Sequence, residues 1–263
     1  MLRWALWFTR NGWPVFPAHG VQEGVVCTCR QGPECSSIGK HPATRRGWKD
    51  ASLDPEQARA WFADNPNYNL ALACGSITVL DVDGERGRQS LESLLDKDKA
   101  AQLRKTPRGR TGGGGWHLFF QDVEVKNLVG FKPGLDIRSQ GGHVILPPSL
   151  HASGSRYVFD RCPTKFKLQK FPQWLLKVVN EEKPRAPAVP MPAIEAGNFD
   201  DIPIIDDYRN NALSSLCGKL FKRGHTADEV SALLLTINES KCRPPLDRPE
   251  VEKIVWSISR YFH

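Results

Sequence analysis

With 263 residues and 40% hydrophobic content, the chain has enough apolar material for one large domain and one small one, which excludes disorder along its whole length. Lys and Arg number 36 against 29 Asp and Glu, and the resulting charge of +7 suits a polyanionic partner whose phosphates basic side chains can neutralise. The apolar opening from Leu2 to Phe8 is broken by Arg3 and far too short to cross a membrane, and seven cysteines without a secretion signal argue against a disulfide framework, so a cytoplasmic protein with no membrane contact is expected.

Residues 4–16 read as a short helix stopped by Asn11 and Gly12, then an edge strand in W-P-V-F-P. After a cysteine-bearing loop, residues 52–62 have helix-start chemistry, with Asp54 as the cap, Pro55 at the first helical position, and Glu56 and Gln57 in the first turn. Residues 69–74 and 76–82 read as strands, and Leu91, Leu94 and Leu95 give residues 84–99 the spacing of one amphipathic helix. From 106 to 159 the signals are those of β structure, with apolar runs separated by Gly, Pro and Ser and a tight turn at Gln140, Gly141 and Gly142. Residues 171–179 read as a closing helix, and 181–203, with four prolines in a dozen residues, as a linker. Three helical patterns follow at 210–221, 226–238 and 248–262, the second capped by Thr226. The expected organisation is a domain over 1–180, a linker over 181–203 and an all-helical module over 204–263.

Three carboxylates and a histidine lie on the strand-like runs. In I-T-V-L-D-V-D-G, side chains alternate with a period of two, so Val79, Asp81 and Asp83 share one face while Leu80 and Val82 share the other. Carboxylates about 6 to 7 Å apart on such a face repel each other unless a cation sits between them. Hard oxygen ligands favour Mg²⁺ or Mn²⁺. In L-D-I-R, Asp136 and Arg138 likewise share a face, opposite Leu135 and Ile137. Together Asp81, Asp83 and Asp136 can hold two cations for phosphoryl transfer. His117 follows T-G-G-G-G-W, where glycines such as Gly114 and Gly115 let backbone N–H groups approach a phosphate. The imidazole and the fork of Arg138 can donate to triphosphate oxygens, with Thr111, Arg108 and Arg110 as helpers on a loop.

Cys27, Cys29, Cys35 and His41 form C-x-C-x5-C-x5-H, a set of thiolates and imidazole of the number that tetrahedral Zn²⁺ requires. The intervening residues are poor in apolar side chains, so a metal staple would supply their order. The adjacent S-I-G-K-H is no Walker A motif, because His41 stands where Ser or Thr is needed and Glu34 where the first Gly belongs. Lys40, Arg45, Arg46, Trp48 and Lys49 mix cations with an aromatic ring, a surface on which a single strand could stack. Cys74, Cys162, Cys217 and Cys242 each lie alone and read as small packed side chains.

Taken in order, P-V-F-P, G-K-H-P, N-L-A-L-A-C-G, V-L-D-V-D, T-G-G-G-G-W-H-L-F-F, L-D-I-R-S-Q-G-G-H-V-I-L-P-P-S and G-S-R-Y resemble the bifunctional primase-polymerase domain of the archaeo-eukaryotic primase superfamily. The resemblance covers about residues 4–159. It implies a two-lobed α+β domain with an RRM-like antiparallel sheet that synthesises primers and extends them from NTPs and dNTPs on a single-stranded DNA template. Asp81, Asp83 and Asp136 match its catalytic metal ligands for two Mg²⁺ or Mn²⁺ ions, His117 its phosphate contact, and Arg138, Gly141 and Gly142 also match. The chain departs from the family's common S-G-G-x-H at residues 112–117, and His143 stands where an aromatic is common. Many relatives carry a zinc-binding insertion, which the C-x-C-x5-C before G-K-H-P resembles.

The tail, with R-N-N-A-L-S-S-L-C-G-K-L, G-H-T-A-D-E-V and N-E-S-K-C-R-P-P-L, resembles the small helical domain found after such catalytic domains and implicated in primer initiation. The resemblance implies either a standalone enzyme or the front of a longer one, working with a separate replicative helicase in a bacterial, archaeal or virus-infected cell. Two rival readings of the same carboxylates are a catalytically degenerate DNA-binding replication initiator and a metal-dependent nuclease. A D-x-D glycosyltransferase is weaker, because Asp136 and His117 would have no role in it.

Overall fold

Alternating apolar runs in the first two thirds of the chain assemble into two main sheets. The computed structural model describes residues 1–22, 26–63, 65–181, 204–205, 209–259 and 262. The chain divides into two compact units, Met1–Ala188 and Val189–His263. The proline-rich segment expected as a linker lies, apart from Glu181, outside the described residues.

In chain order the first unit comprises α1 (Leu2–Arg10), β1 (Val15–Ala18), β2 (Val21–Gln22), β3 (Val26–Cys27), α2 (Pro55–Ala63), β4 (Asn69–Ala73), β5 (Ile77–Val82), α3 (Gly84–Glu92) and α4 (Lys97–Leu103). It continues with β6 (Arg108–Arg110), β7 (Trp116–Gln121), β8 (Leu128–Lys132), β9 (Leu135–Arg138), β10 (His143–Ile145), β11 (Val158–Arg161) and α5 (Gln173–Glu181). A three-stranded sheet has the order β1-β4-β10 and a six-stranded sheet the order β11-β6-β7-β5-β9-β8. Both are antiparallel throughout. The fold is α+β, as the sequence implied.

Two apolar layers hold this unit together. Phe8 of α1, Phe62 of α2, Leu70 and Leu72 of β4, Val79 of β5 and Phe119 of β7 form one buried cluster that joins the two sheets. On the other face of the larger sheet, Leu80, Val82 and Ile137 pack with Leu91, Leu103 and Leu175 from α3, α4 and α5. Burying such side chains stabilises by about 1.5–3 kcal/mol each. The strand period places Val79 in the first layer and its neighbour Leu80 in the second. Along the face shared by the two sheets the chemistry then changes within one strand: Ile77 and Val79 are followed by Asp81 on β5, and on β7 Phe119 is preceded by His117. The apolar end of that face is core, and its charged end is a cavity.

The expected helix over 84–99 is two helices. Asp96 ends the intervening turn and starts α4, its carboxylate accepting a hydrogen bond from the Lys99 N–H at 2.8 Å. Leucine spacing carries across such a break without registering it. Asp54 does cap α2, accepting from the Glu56 N–H at 2.9 Å.

The second unit comprises β12 (Ile204–Ile205), α6 (Arg209–Lys222), α7 (Ala227–Lys241), β13 (Cys242–Arg243) and α8 (Arg248–Ser259). Its core gathers Leu213, Cys217, Val230, Leu234, Val251 and Ile254. Thr226 and Glu229 form a reciprocal capping box at the start of α7. No helix among the described residues is long and apolar enough to cross a membrane.

Asn69, buried on β4, ties the backbone of two loops to the small sheet. Its amide donates to the Gly39 carbonyl at 2.9 Å and the Leu150 carbonyl at 2.8 Å, and its oxygen accepts from the Leu150 N–H at 2.9 Å. Asn69→Ala strands those groups out of reach of water, and urea unfolding should register a loss of about 2–4 kcal/mol. An unchanged midpoint would show that the network contributes nothing.

Candidate active site

β5 occupies the middle of the larger sheet, so Asp81 has a strand on each side. Its directly opposed neighbour on β7 is His117 and on β9 is Asp136. Directly opposed residues bring their Cβ atoms to about 4.5–5.5 Å, so two carboxylates and an imidazole necessarily project together. His117 Nε2 lies 3.4 Å from Asp81 Oδ1, and Arg138 Nε lies 3.5 Å from Asp81 Oδ2. Arg138 also pairs with Asp136, whose other oxygen accepts from the Gly130 N–H at 2.7 Å. Asp83 lies one residue past the end of β5, at the N-cap of α3, where it is exposed and its side chain makes no cap hydrogen bond.

Burial would lift the Asp81 carboxyl, but His117 and Arg138 outweigh it and hold Asp81 below the usual carboxylate range. At Asp136 burial wins, reinforced by the charges of Asp81 and Asp83, and its carboxyl stands above its ordinary value despite Arg138 and the Gly130 N–H. Asp81, Asp83 and Asp136 all line one cavity, and such hard oxygen donors fit a divalent cation such as Mg²⁺ or Mn²⁺. Arg138 Nε is buried and, beyond its long contact to Asp81, makes no hydrogen bond among the described residues. A phosphate oxygen would satisfy it.

These groups line a cavity of about 460 Å³ to which both sheets contribute, His143, Val144 and Ile145 coming from the small one. Thr111 and Gly113 lie on its wall, whereas Gly114 and Gly115, expected to cradle phosphate, are not among the lining residues. Gly115 serves packing instead, since a Cβ there would come within 2.1 Å of the Val82 carbonyl oxygen. Arg108 and Arg110, expected on a loop, lie on β6 opposite Leu118 and Trp116, which puts them on the face away from His117. There Arg108 pairs with Asp160 and lies over the Trp116 ring, 4.6 Å from its centroid.

The basic and aromatic residues around Trp48 separate. Lys40 reaches the cavity, Trp48 packs on the core, and Arg45 and Arg46 line a different hollow with Trp61 and Tyr68, where Arg46 Nε contacts Asp50 Oδ1 at 2.6 Å.

At the end of β3 and in the loop after it, the ligating atoms of Cys27, Cys29, Cys35 and His41 all lie within 4.8 Å of one another. Cys27 Sγ and His41 Nε2 are 3.4 Å apart. The Cys35 thiol is pushed up to about 11 by burial and by its neighbours Cys27 and Cys29, and burial lowers the His41 imidazole, favouring its neutral form. Three sulfurs with a neutral imidazole are a donor set able to bind zinc. His19 lies on the His41 ring with centroids 4.6 Å apart.

Residues 5–174 match the family model described as bifunctional DNA primase/polymerase, N-terminal. The chain belongs to the bifunctional DNA primase/polymerase family. Residues 205–263 match the primase C terminal 1 family, which covers the helical unit. No curated protein matched the chain. The two family matches together support a primase-polymerase involved in replication, with DNA and nucleotides as the implied substrates.

Within this primase/polymerase domain, sequence reasoning passed over Asn127, His151 and Tyr157, all on the cavity wall. Tyr157 is buried with its ring 6.0 Å from His117 and 5.9 Å from His151. The available signal was the P-P-S and G-S-R-Y pair that brackets His151 and ends on Tyr157.

The packing role of the glycine run is separable by substitution. Gly115→Ala should cost about 3 kcal/mol or more, because backbone must move, whereas Gly114→Ala, with open space around it at φ +86°, should cost only about 1 kcal/mol of backbone strain. Equal losses in urea unfolding would contradict this division.

Proposed function

We propose that the chain is a DNA-templated nucleotidyltransferase that starts and extends primers from nucleoside triphosphates and releases pyrophosphate. The observation that carries this reading is the direct opposition of Asp81 to both Asp136 and His117 across the central strands. Asp81, Asp83 and Asp136 would hold two Mg²⁺ or Mn²⁺ ions, which when bound supply the positive charge that favours deprotonation of the attacking 3′ hydroxyl and offsets charge on the leaving pyrophosphate. His117 and Arg138 hold the triphosphate, the guanidinium through the Nε–H that makes no hydrogen bond among the described residues. The buried Tyr157 ring backs the His117 imidazole and keeps it facing the cavity. Attack on the α-phosphate proceeds in line, and positioning supplies much of the rate.

Zinc at Cys27, Cys29, Cys35 and His41 has a structural role in this reading, closing a loop whose end delivers Lys40 to the cavity wall. The helical unit holds the template or the first nucleotide during initiation, an assignment that rests on its family match.

In an assay with primed and unprimed templates, NTPs or dNTPs, and Mg²⁺ or Mn²⁺, the unmutated protein should make product and Asp81→Asn should lose about 100-fold or more of the rate. Failure of the unmutated protein to incorporate any nucleotide, with DNA binding intact, would favour a replication initiator. Degradation of labelled DNA in Mn²⁺ without nucleotides would favour a nuclease. Metal analysis of purified protein should find about one zinc per chain, and Cys29→Ser should reduce it well below that. Less than about half an equivalent in the unmutated protein would count against the cluster.

A further inference from the structure

We propose that His151 and Lys40 form an anion subsite of their own in the cavity, one that takes the terminal phosphates of the incoming nucleoside triphosphate. This rests on the nucleotidyl-transfer reading of the site, and it assigns residues that lie outside the carboxylate, His117 and Arg138 group.

The protonation of His151 follows from its partners. The Ser153 N–H donates to His151 Nδ1 at 3.0 Å, and the Ser153 hydroxyl donates to the Gly112 carbonyl at 2.7 Å. A ring nitrogen that accepts a backbone N–H carries no proton, so the neutral imidazole has its hydrogen on Nε2 and is a donor there. Burial, aided by the charge of Lys40, keeps the imidazole below its usual range and favours this neutral form. Donation from Nε2 needs no positive charge on the ring.

Packing aims that donor into the cavity. A Cβ on Gly112 would come within 2.1 Å of His151 Cβ, so the bare backbone lets the histidine close against the glycine run. The Nε2 edge lies beside Gly113, 3.7 Å from where its Cβ would be, and Gly113 and His151 both line the cavity. The Tyr157 ring meets the His151 ring at 70° and fixes its plane.

Lys40 lines the same cavity from a different loop. It immediately precedes His41 of the cysteine cluster, and its carbonyl accepts from His143 Nε2 at 3.2 Å, which pins the loop to β10. The glycine run against which His151 packs also abuts the chain just past β5, where a Cβ on Gly115 would come within 3.1 Å of the Gly84 nitrogen, next to Asp83. The subsite thus borders the Asp83 end of the cavity, beyond the Asp81 and Asp136 pair beside which the reacting α-phosphate lies in the proposed reading. A neutral donor and an ammonium there match the most highly charged part of a triphosphate.

Calorimetric titration of the full chain with the mono- and triphosphates of adenosine and deoxyadenosine in Mg²⁺ tests this. The unmutated protein should bind at least one triphosphate tighter than its monophosphate. His151→Ala and Lys40→Ala should each weaken triphosphate binding by about tenfold or more and leave monophosphate binding within about twofold, closing the gap between them. His151→Gln, whose amide can donate, should recover most of the loss, and Lys40→Ala alters an exposed side chain, so the test survives if His151→Ala fails to fold. Triphosphate affinities unchanged in Lys40→Ala and His151→Gln, together with unchanged affinity in a folded His151→Ala, would overturn the subsite alone. Equal losses for mono- and triphosphate would also overturn it, since they mean general damage to the cavity. No triphosphate binding by the unmutated protein would instead sink the nucleotidyl-transfer reading on which the subsite rests.

Discussion

A carboxylate in the middle of a β-sheet and largely withdrawn from water has to be compensated by the neighbours that its flanking strands fix. Asp81 is in that position on β5, and the register of β7 and β9 supplies both its compensation and its surplus: His117 on one side, Asp136 on the other, with Arg138 reaching both acids. A one-residue slip of either pairing would turn His117 or Asp136 to the opposite face and put an apolar side chain in the cavity. The two hydrophobic layers that fix the register, one holding Val79 and Phe119 and the other Leu80 and Ile137, are therefore also what holds the charged groups together. Core and site share the same strands.

The remaining walls come from segments that have little apolar anchorage of their own. The loop carrying Cys27, Cys29, Cys35 and His41 is tied to the small sheet through Asn69 and His143 and presents Lys40 at its end. The glycine run at 112–115 is pressed between Val82 and His151, and the turn at 139–142 closes through the Ser139 carbonyl and the Gly142 N–H at 2.8 Å. These loops gain order from specific polar contacts and, in the proposed reading, from zinc. The family match rests on the pattern along the chain, whereas the phosphate chemistry proposed for the cavity rests on three carboxylates gathered beside Arg138, His117 and Lys40.

Period and punctuation made most elements legible. Helices at the N-terminus, after Asp54 and after Thr226, the strands around Asp81, His117 and Asp136, and the tight turn at Gly141 all follow from local rules, since each depends on residues close in sequence. The break between α3 and α4 was missed because Leu91, Leu94 and Leu95 keep a helical spacing across it while Asp96 competes for the backbone. Arg108 and Arg110 looked like loop residues because R-G-R has no apolar alternation, and they become a strand only by pairing with β7 and β11.

The sequence by itself determined which residues carry charge on which side of each strand, that the four zinc-type donors are close along the chain, and which family the chain joins. Those are properties of spacing. Only the tertiary structure decided that β5 lies between β7 and β9, that Gly114 and Gly115 do not line the cavity, and that His151, Tyr157 and Lys40 do. Convergence of loops separated by a hundred residues is settled by sheet order and by which backbone can approach which, and no local pattern encodes either.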